Sequence, residues 1–244
     1  MNSTETLVDP ATSGQTPTAI DEAAGGHPRR WWVLAVLCLS LFLVVVDNTI
    51  VNVALPTLSA DLNASTTELQ WIVDAYTLVF ASLLLAFGHF GDRFGRRGAL
   101  ALGLILFGAT SALAAFATSA GGLIGVRALM GVGAALVFPA TLAILMNVFT
   151  DKKQRAAAIG IWSGATGMAV AAGPVAGGFL LEHFWWGSVF LVNVPIVVVA
   201  VVAVMFVVPT SKDPDSGRMD WFGLVLSVAS IGLLVWSIIE GPRL

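Results

Sequence analysis

Charged side chains are scarce in this sequence. They make up 11% of 244 residues, against 57% hydrophobic, whereas a soluble domain carries about 25% charge. Mean hydropathy is +0.88. One soluble core of this size could not shelter so much apolar surface, because a small domain keeps a large exposed skin. An ordinary soluble enzyme, a nucleic-acid-binding module and a disordered protein are therefore excluded, and a polytopic membrane protein is favoured. Cysteine is confined to Cys38, which rules out an intrachain disulfide framework and a cysteine-cluster metal site. His27, His89 and His183 lie far apart in the chain, which argues against a multi-histidine metal site. Net charge is −3, too small an imbalance to point to a polyanionic partner. No metal, cofactor or nucleic acid is expected.

What the chain does have is a series of seven apolar runs, at roughly 31–55, 69–90, 98–117, 121–148, 156–181, 188–208 and 220–239. Each approaches or exceeds the ~20 residues that cross a bilayer core as a helix. Spanning strands would show as alternating segments of ~10 residues, and these runs are continuous. Backbone groups in lipid must be bonded within the segment, so helices follow. The expected fold class is an all-α membrane protein. Residues 1–28 form a polar leader without the basic start and short apolar core of a signal peptide. It reads as a disordered cytoplasmic tail, with a partner-binding tail as the alternative.

Basic residues set the expected orientation. With the N-terminus in the cytoplasm, Arg29, Arg30, Arg93, Arg96, Arg97, Lys152, Lys153, Arg155, Lys212 and Arg218 fall on the inner side, and only Arg243 lies outside. That asymmetry fits an N-inside topology and argues against a seven-helix receptor, whose N-terminus faces outward.

Three ionisable residues interrupt the spans: Asp47, Asp74 and Arg127. Each would cost ~2.5–3.5 kcal/mol facing lipid at mid-bilayer, so such groups face a protein interior or a water-filled cavity. At ~1.5 Å of rise per residue all three sit about 8–10 Å below the outer surface. Asn48 and Asn52 lie beside Asp47. Trp71, Asp74 and Thr77 share a stripe, and Gly131 and Ala135 follow Arg127 at four-residue spacing. Two readings stay open for the carboxylates. They load protons or neutralise a cationic substrate, or they make structural interhelical bonds, including pairing with Arg127. Arg127 stays protonated, so it can tune a carboxylate without carrying the proton; fixing helix packing is an equal alternative. His89, at the inner end of the second run, reads as an interfacial polar residue, with pH sensing as a remote alternative.

Gly88 to Leu100 reads GHFGDRFGRRGAL. It predicts a tight loop between the second and third spans, with Gly91 and Gly95 permitting reversal and Asp92 capping a helix N-terminus. Arg93, Arg96 and Arg97 would anchor to headgroups or pair with acids. The pattern resembles the loop motif of the major facilitator superfamily, with Phe90 where leucine is commoner. Val46–Pro56 (VDNTIVNVALP) and Leu69–Tyr76 (LQWIVDAY) resemble the first two spans of its fourteen-span drug:proton antiporters. Arg127–Gly133 (RALMGVG) resembles the fourth-span motif, with Met130 where glutamine is common. Gly173–Gly178 (GPVAGG) resembles the fifth-span antiporter motif, and Trp186–Pro195 (WGSVFLVNVP) the entry to the sixth. The likeness runs in order over about 30–240, toward quaternary-ammonium and multidrug exporters of the QacA/EmrB type.

The resemblance implies a six-helix N-terminal bundle over 29–208, a cytoplasmic connection over 209–219, and a seventh, linker span with a truncated end over 220–244. It implies that Asp47, Asp74 and Arg127 serve proton coupling or cation recognition. It implies that Gly88, Asp92, Arg93, Gly95 and Arg96 form a gating loop touching the second half of the transporter. It implies that Gly173, Pro174, Gly177 and Gly178 limit leakage and favour exchange over symport. Physically, Gly160/Gly164 and Gly173/Gly177 permit close helix contact and Pro174 can bend its helix. The implied activity is proton-coupled export of a lipophilic, often cationic compound across the cell membrane. One bundle cannot alternate access alone, so a partial chain is expected, needing a C-terminal bundle or partner chain. A non-transporting remnant or partner-binding half is the alternative. An intramembrane serine protease would need Gly-x-Ser-Gly and a later deep histidine. The nearest match, Ile161-Trp162-Ser163-Gly164, lacks the first glycine, and no histidine follows His183. No enzymatic activity is expected.

Overall fold

The computed structural model describes residues 27–211 and 221–240. The leader up to residue 26, residues 212–220 of the expected connection and residues 241–244 lie outside the described residues. The described residues form eight helices in order: α1 (Arg30–Leu62), α2 (Thr66–Phe94), α3 (Arg96–Ala115), α4 (Ala120–Val148), α5 (Lys152–His183), α6 (Ser188–Leu191), α7 (Asn193–Val207) and α8 (Trp221–Glu240). No strand occurs among the described residues. Among the described residues six spans are long and apolar enough to cross a membrane, with α6 and α7 together making the sixth. Helix α8 adds 20 residues of apolar sequence.

The apolar runs mark the helix centres and miss their polar ends. The run at 69–90 becomes Thr66–Phe94 because Ser65 and Glu68 form a reciprocal cap. The Ser65 hydroxyl accepts from the Glu68 amide, and the Glu68 carboxylate takes the Ser65 amide at 2.8 Å. Ser119 and Asp151 cap α4 and α5 by accepting from the amides of Gly122 and Gln154. The run at 188–208 is interrupted at Val192, between α6 and α7. Pro195 has no amide hydrogen to return to the carbonyl of Leu191, so the helical ladder is weakened there.

The most extensive pairings are α2 with α4, α3 with α4 and α1 with α5; α7 lies on α3 and α1, and α8 lies along α2. Small residues mark the crossings. A Cβ on Gly131 would meet the Tyr76 carbonyl at 2.6 Å, and Gly103 and Gly133 face each other's backbone across α3 and α4. A Cβ on Gly173 would collide with the Thr49 hydroxyl, and one on Gly177 would meet Ile50 at 2.9 Å, so this part of the GPVAGG stretch seats α5 on α1. The Gly160/Gly164 pair differs from expectation: nothing described lies within 4 Å of a Cβ at either position, nor at Gly178. Pro174 lies inside α5, which is assigned as one continuous helix.

The second-to-third connection also differs from a loop. Helix α2 runs through Gly91 and Asp92 to Phe94, and α3 resumes at Arg96, leaving Gly95 as a one-residue hinge at φ 117°. Asp92 does not cap α3; it accepts from Arg96 Nε at 2.8 Å. The Arg96 amide donates to the Ser211 carbonyl at 2.9 Å, so the chain leaving α7 is tied to the hinge. Only glycine adopts this hinge conformation without strain, so Gly95→Ala is expected to cost about 1–2 kcal/mol. A melting temperature in detergent equal to the parent's would contradict that.

The basic residues gather at one end of the bundle. Arg30 Nε donates to Gln154 Oε1 at 2.7 Å, joining the start of α1 to the start of α5. Arg155 Nε donates to the Phe149 carbonyl at 2.7 Å, and Arg97 to that of Val208 at 3.4 Å.

Candidate functional site

The centre of the bundle holds an ion pair that is wholly sequestered. Arg127 of α4 donates from Nη1 to Asp47 Oδ2 of α1 at 2.6 Å, and both side chains are 0% exposed. Burying two charges is costly unless geometry and extra hydrogen bonds compensate, and here the extra bonds are present. Arg127 Nε donates to the Ile72 carbonyl of α2 at 3.1 Å. Its guanidinium lies 4.3 Å from the centroid of the Tyr76 ring, a cation–π contact strengthened by desolvation. The Tyr76 hydroxyl in turn donates to the Val44 carbonyl at 3.2 Å. The Met130 sulfur stands 4.0 Å from Nη1 and is a weak acceptor.

The other carboxylate oxygen of Asp47 is also engaged. Asn193, the first residue of α7, donates from Nδ2 to Asp47 Oδ1 at 2.7 Å and to Ser111 Oγ of α3 at 3.0 Å. The Ser111 hydroxyl donates to the Phe190 carbonyl at 2.8 Å. Asn193 and Ser111 are 1% and 0% exposed. The network thus joins α1, α2, α3, α4, α6 and α7 through one carboxylate and one guanidinium.

The similar depths expected for Asp47, Asp74 and Arg127 do not make them one cluster. Asp74 is half-buried on α2, and it has no hydrogen bond or ion pair among the described residues. Gln70 and Thr77, one turn to either side, are exposed, so this stripe of α2 borders open space. Asn52 is exposed and donates to the Asn48 carbonyl; the Asn48 Oδ1, Arg127 Nη2 and His89 Nε2 atoms are buried without a partner among the described residues. At the hinge, Gly88 faces Pro139 of α4, Asp92 pairs with Arg96, and the exposed Arg93 lies over the ring of Phe94. No group of three or more metal-ligating side chains occurs among the described residues.

Sequence reading missed Ser111, Tyr76 and Asn193 as parts of this centre. Asn193 left a trace: it is the sole amide side chain in the apolar run at 188–208, and a polar side chain inside a span calls for a partner in the protein. Ser111 left none, because serine is unremarkable on a helix facing other helices.

Residues 37–243 match the profile of the Major Facilitator Superfamily. The chain is 47% identical over 210 residues to the multidrug efflux pump LfrA of Mycolicibacterium smegmatis, covering 86% of this chain and 42% of that protein. It is 43% identical to the methyl viologen resistance protein SmvA of Salmonella typhimurium, with the same coverage. It is 36% identical to the tetracenomycin C resistance and export protein of Streptomyces glaucescens, covering 98% of this chain and 44% of that one. The chain therefore spans less than half the length of these curated relatives. A crystal structure of the peptide transporter POT with sulfate superposes with a TM-score of 0.66 at 16% identity, covering 86% of this chain and 46% of that one; the likeness is one of fold.

Proposed function

This chain belongs to the major facilitator superfamily, and from that premise we propose that it forms the N-terminal bundle of a proton-coupled exporter of lipophilic, often cationic compounds. It is a multi-pass membrane protein of a transporter family, not an enzyme. The observation that carries the reading is the sequestered Asp47–Arg127 pair, in a chain similar to efflux and resistance proteins. Protonating Asp47 would strip Arg127 of its counter-charge in an interior closed off from the surface. The state shown here would then lose stability relative to any state in which Arg127 finds another partner. Each proton driven inward contributes about 2.3 kcal/mol per 100 mV, enough to bias such an equilibrium.

In this reading Asp74, on the open stripe of α2, meets the substrate cation or receives the proton first. The hinge around Gly95, with Asp92, Arg93 and Arg96, meets a second bundle at the cytoplasmic end. The tight α1–α5 seat at Gly173 and Gly177, with Pro174 between them, restrains leakage. In this reading the basic end faces the cytoplasm, and the N-terminus lies on the cytoplasmic side of the cell membrane. Alternating access requires two bundles rocking about a midplane site, so the transporting unit contains a second bundle beside this one.

Vesicles from cells expressing this chain with the C-terminal half of a similar efflux pump test the proposal. A lipophilic cation is expected to release protons from acid-loaded vesicles, and Asp47→Asn or Asp74→Asn to abolish the release. No response from the unmodified chain, or responses from both variants equal to that of the unmodified chain, would remove the proposal's basis.

A further inference from the structure

We propose that Asn193 is a positioning residue that holds Asp47 toward Arg127, so that a proton reaches Asp47 only when the contact between α1 and α7 opens. The inference rests on the proton-coupled reading above and adds a residue to it.

The direction of the hydrogen bonds carries the argument. The Ser111 hydroxyl has one hydrogen, and it goes to the Phe190 carbonyl at 2.8 Å. Ser111 can therefore only accept from Asn193, which places the amide nitrogen, not the amide oxygen, at the junction. The second hydrogen of that nitrogen points at Asp47 Oδ1 at 2.7 Å. The chain of bonds from Phe190 through Ser111 and Asn193 ends in a donor aimed at the carboxylate. Arg127 aims another at Oδ2 at 2.6 Å. Both oxygens of a carboxylate with 0% exposure are thus committed to donors, and a proton arriving on either side meets a hydrogen already in place.

The position of Asn193 makes the clamp movable. It stands at the first residue of α7, directly after the interruption at Val192. Phe190, which anchors the far end of the bond chain, is on α6, before that interruption. Displacement of α7 against α6 would therefore pull the amide from Asp47 while the Arg127 contact on α4 persists. The charge state of Asp47 and the placement of the sixth span are then two readings of one contact. Asp74 has no such clamp among the described residues and serves as an internal reference.

Site-resolved labelling of the purified chain in lipid nanodiscs tests this. A lipid-soluble carbodiimide modifies protonated carboxyl groups, and peptide mass spectrometry reports Asp47 and Asp74 separately. In the parent, Asp74 is labelled and Asp47 is protected. In Asn193→Leu, Asp47 labelling is expected to rise about tenfold, the least that loss of a hydrogen bond to a charged group brings. That labelling is expected to decline as pH is raised. Ser111→Ala, which frees the amide to turn, gives an intermediate rise. Asp74 labelling stays as in the parent in both variants. Asp47 equally protected in Asn193→Leu and the parent overturns the proposal. So does a joint rise at Asp47 and Asp74, the mark of a generally loosened bundle. Labelling requires no transport, so expected labelling combined with absent drug-dependent proton release would overturn the antiport reading while leaving the clamp in place.

Discussion

Replacing Arg127 with methionine is expected to destabilise the bundle by about 3–5 kcal/mol, because it strands the Asp47 carboxylate in a site with 0% exposure. The loss comprises more than the 2.6 Å ion pair. The Ile72 carbonyl loses its second donor, and the Tyr76 ring loses a cation 4.3 Å from its centroid. The double variant Asp47→Leu with Arg127→Met removes both charges together. It is expected to be far more stable than the two single losses predict, since neither charge is left unpaired. Unfolding titrations of the four proteins in mixed detergent micelles give the coupling directly. Single losses that add to within about 0.5 kcal/mol would mean the pair is not a unit, and the site as described would be wrong.

The second large effect separates glycines that look alike in sequence. Gly131→Val should cost about 3 kcal/mol, because its Cβ meets the Tyr76 carbonyl at 2.6 Å, and backbone cannot move aside as a side-chain tip can. Gly164→Ala meets nothing within 4 Å. It should be neutral or stabilise α5 by about 0.5–1 kcal/mol, the ordinary gain of alanine over glycine in a helix. Thermal unfolding in detergent compares them. A destabilised Gly164→Ala would contradict the open surroundings of that position.

The seven helices called for by the apolar runs follow from one-dimensional information. A continuous apolar stretch in lipid must bond its own backbone, so helix centres are legible without any neighbour. Of the two glycines expected to permit the reversal after α2, Gly95 does so and Gly91 stays inside the helix. The extent of the helices was less so. Thr66 and Glu68 are polar, and only their caps and contacts keep them helical. Asp92 shows the same limit from the other side: its short-range capping role gives way to Arg96 once α2 continues to Phe94.

What the sequence by itself determined was the class, the position of each ionisable group along its helix and the family to which the motifs belong. Position along one helix is a one-dimensional coordinate, and the order of residues is enough to read it. Tertiary structure alone decided that Arg127 takes Asp47 and leaves Asp74 free of an ion pair among the described residues. It also decided that Asn193 closes the site from 146 residues away, and that Gly131 and Gly173 are crowded while Gly164 is open. Those choices depend on which way each helix is turned and which helix stands beside it, and both are fixed only when all the spans pack at once.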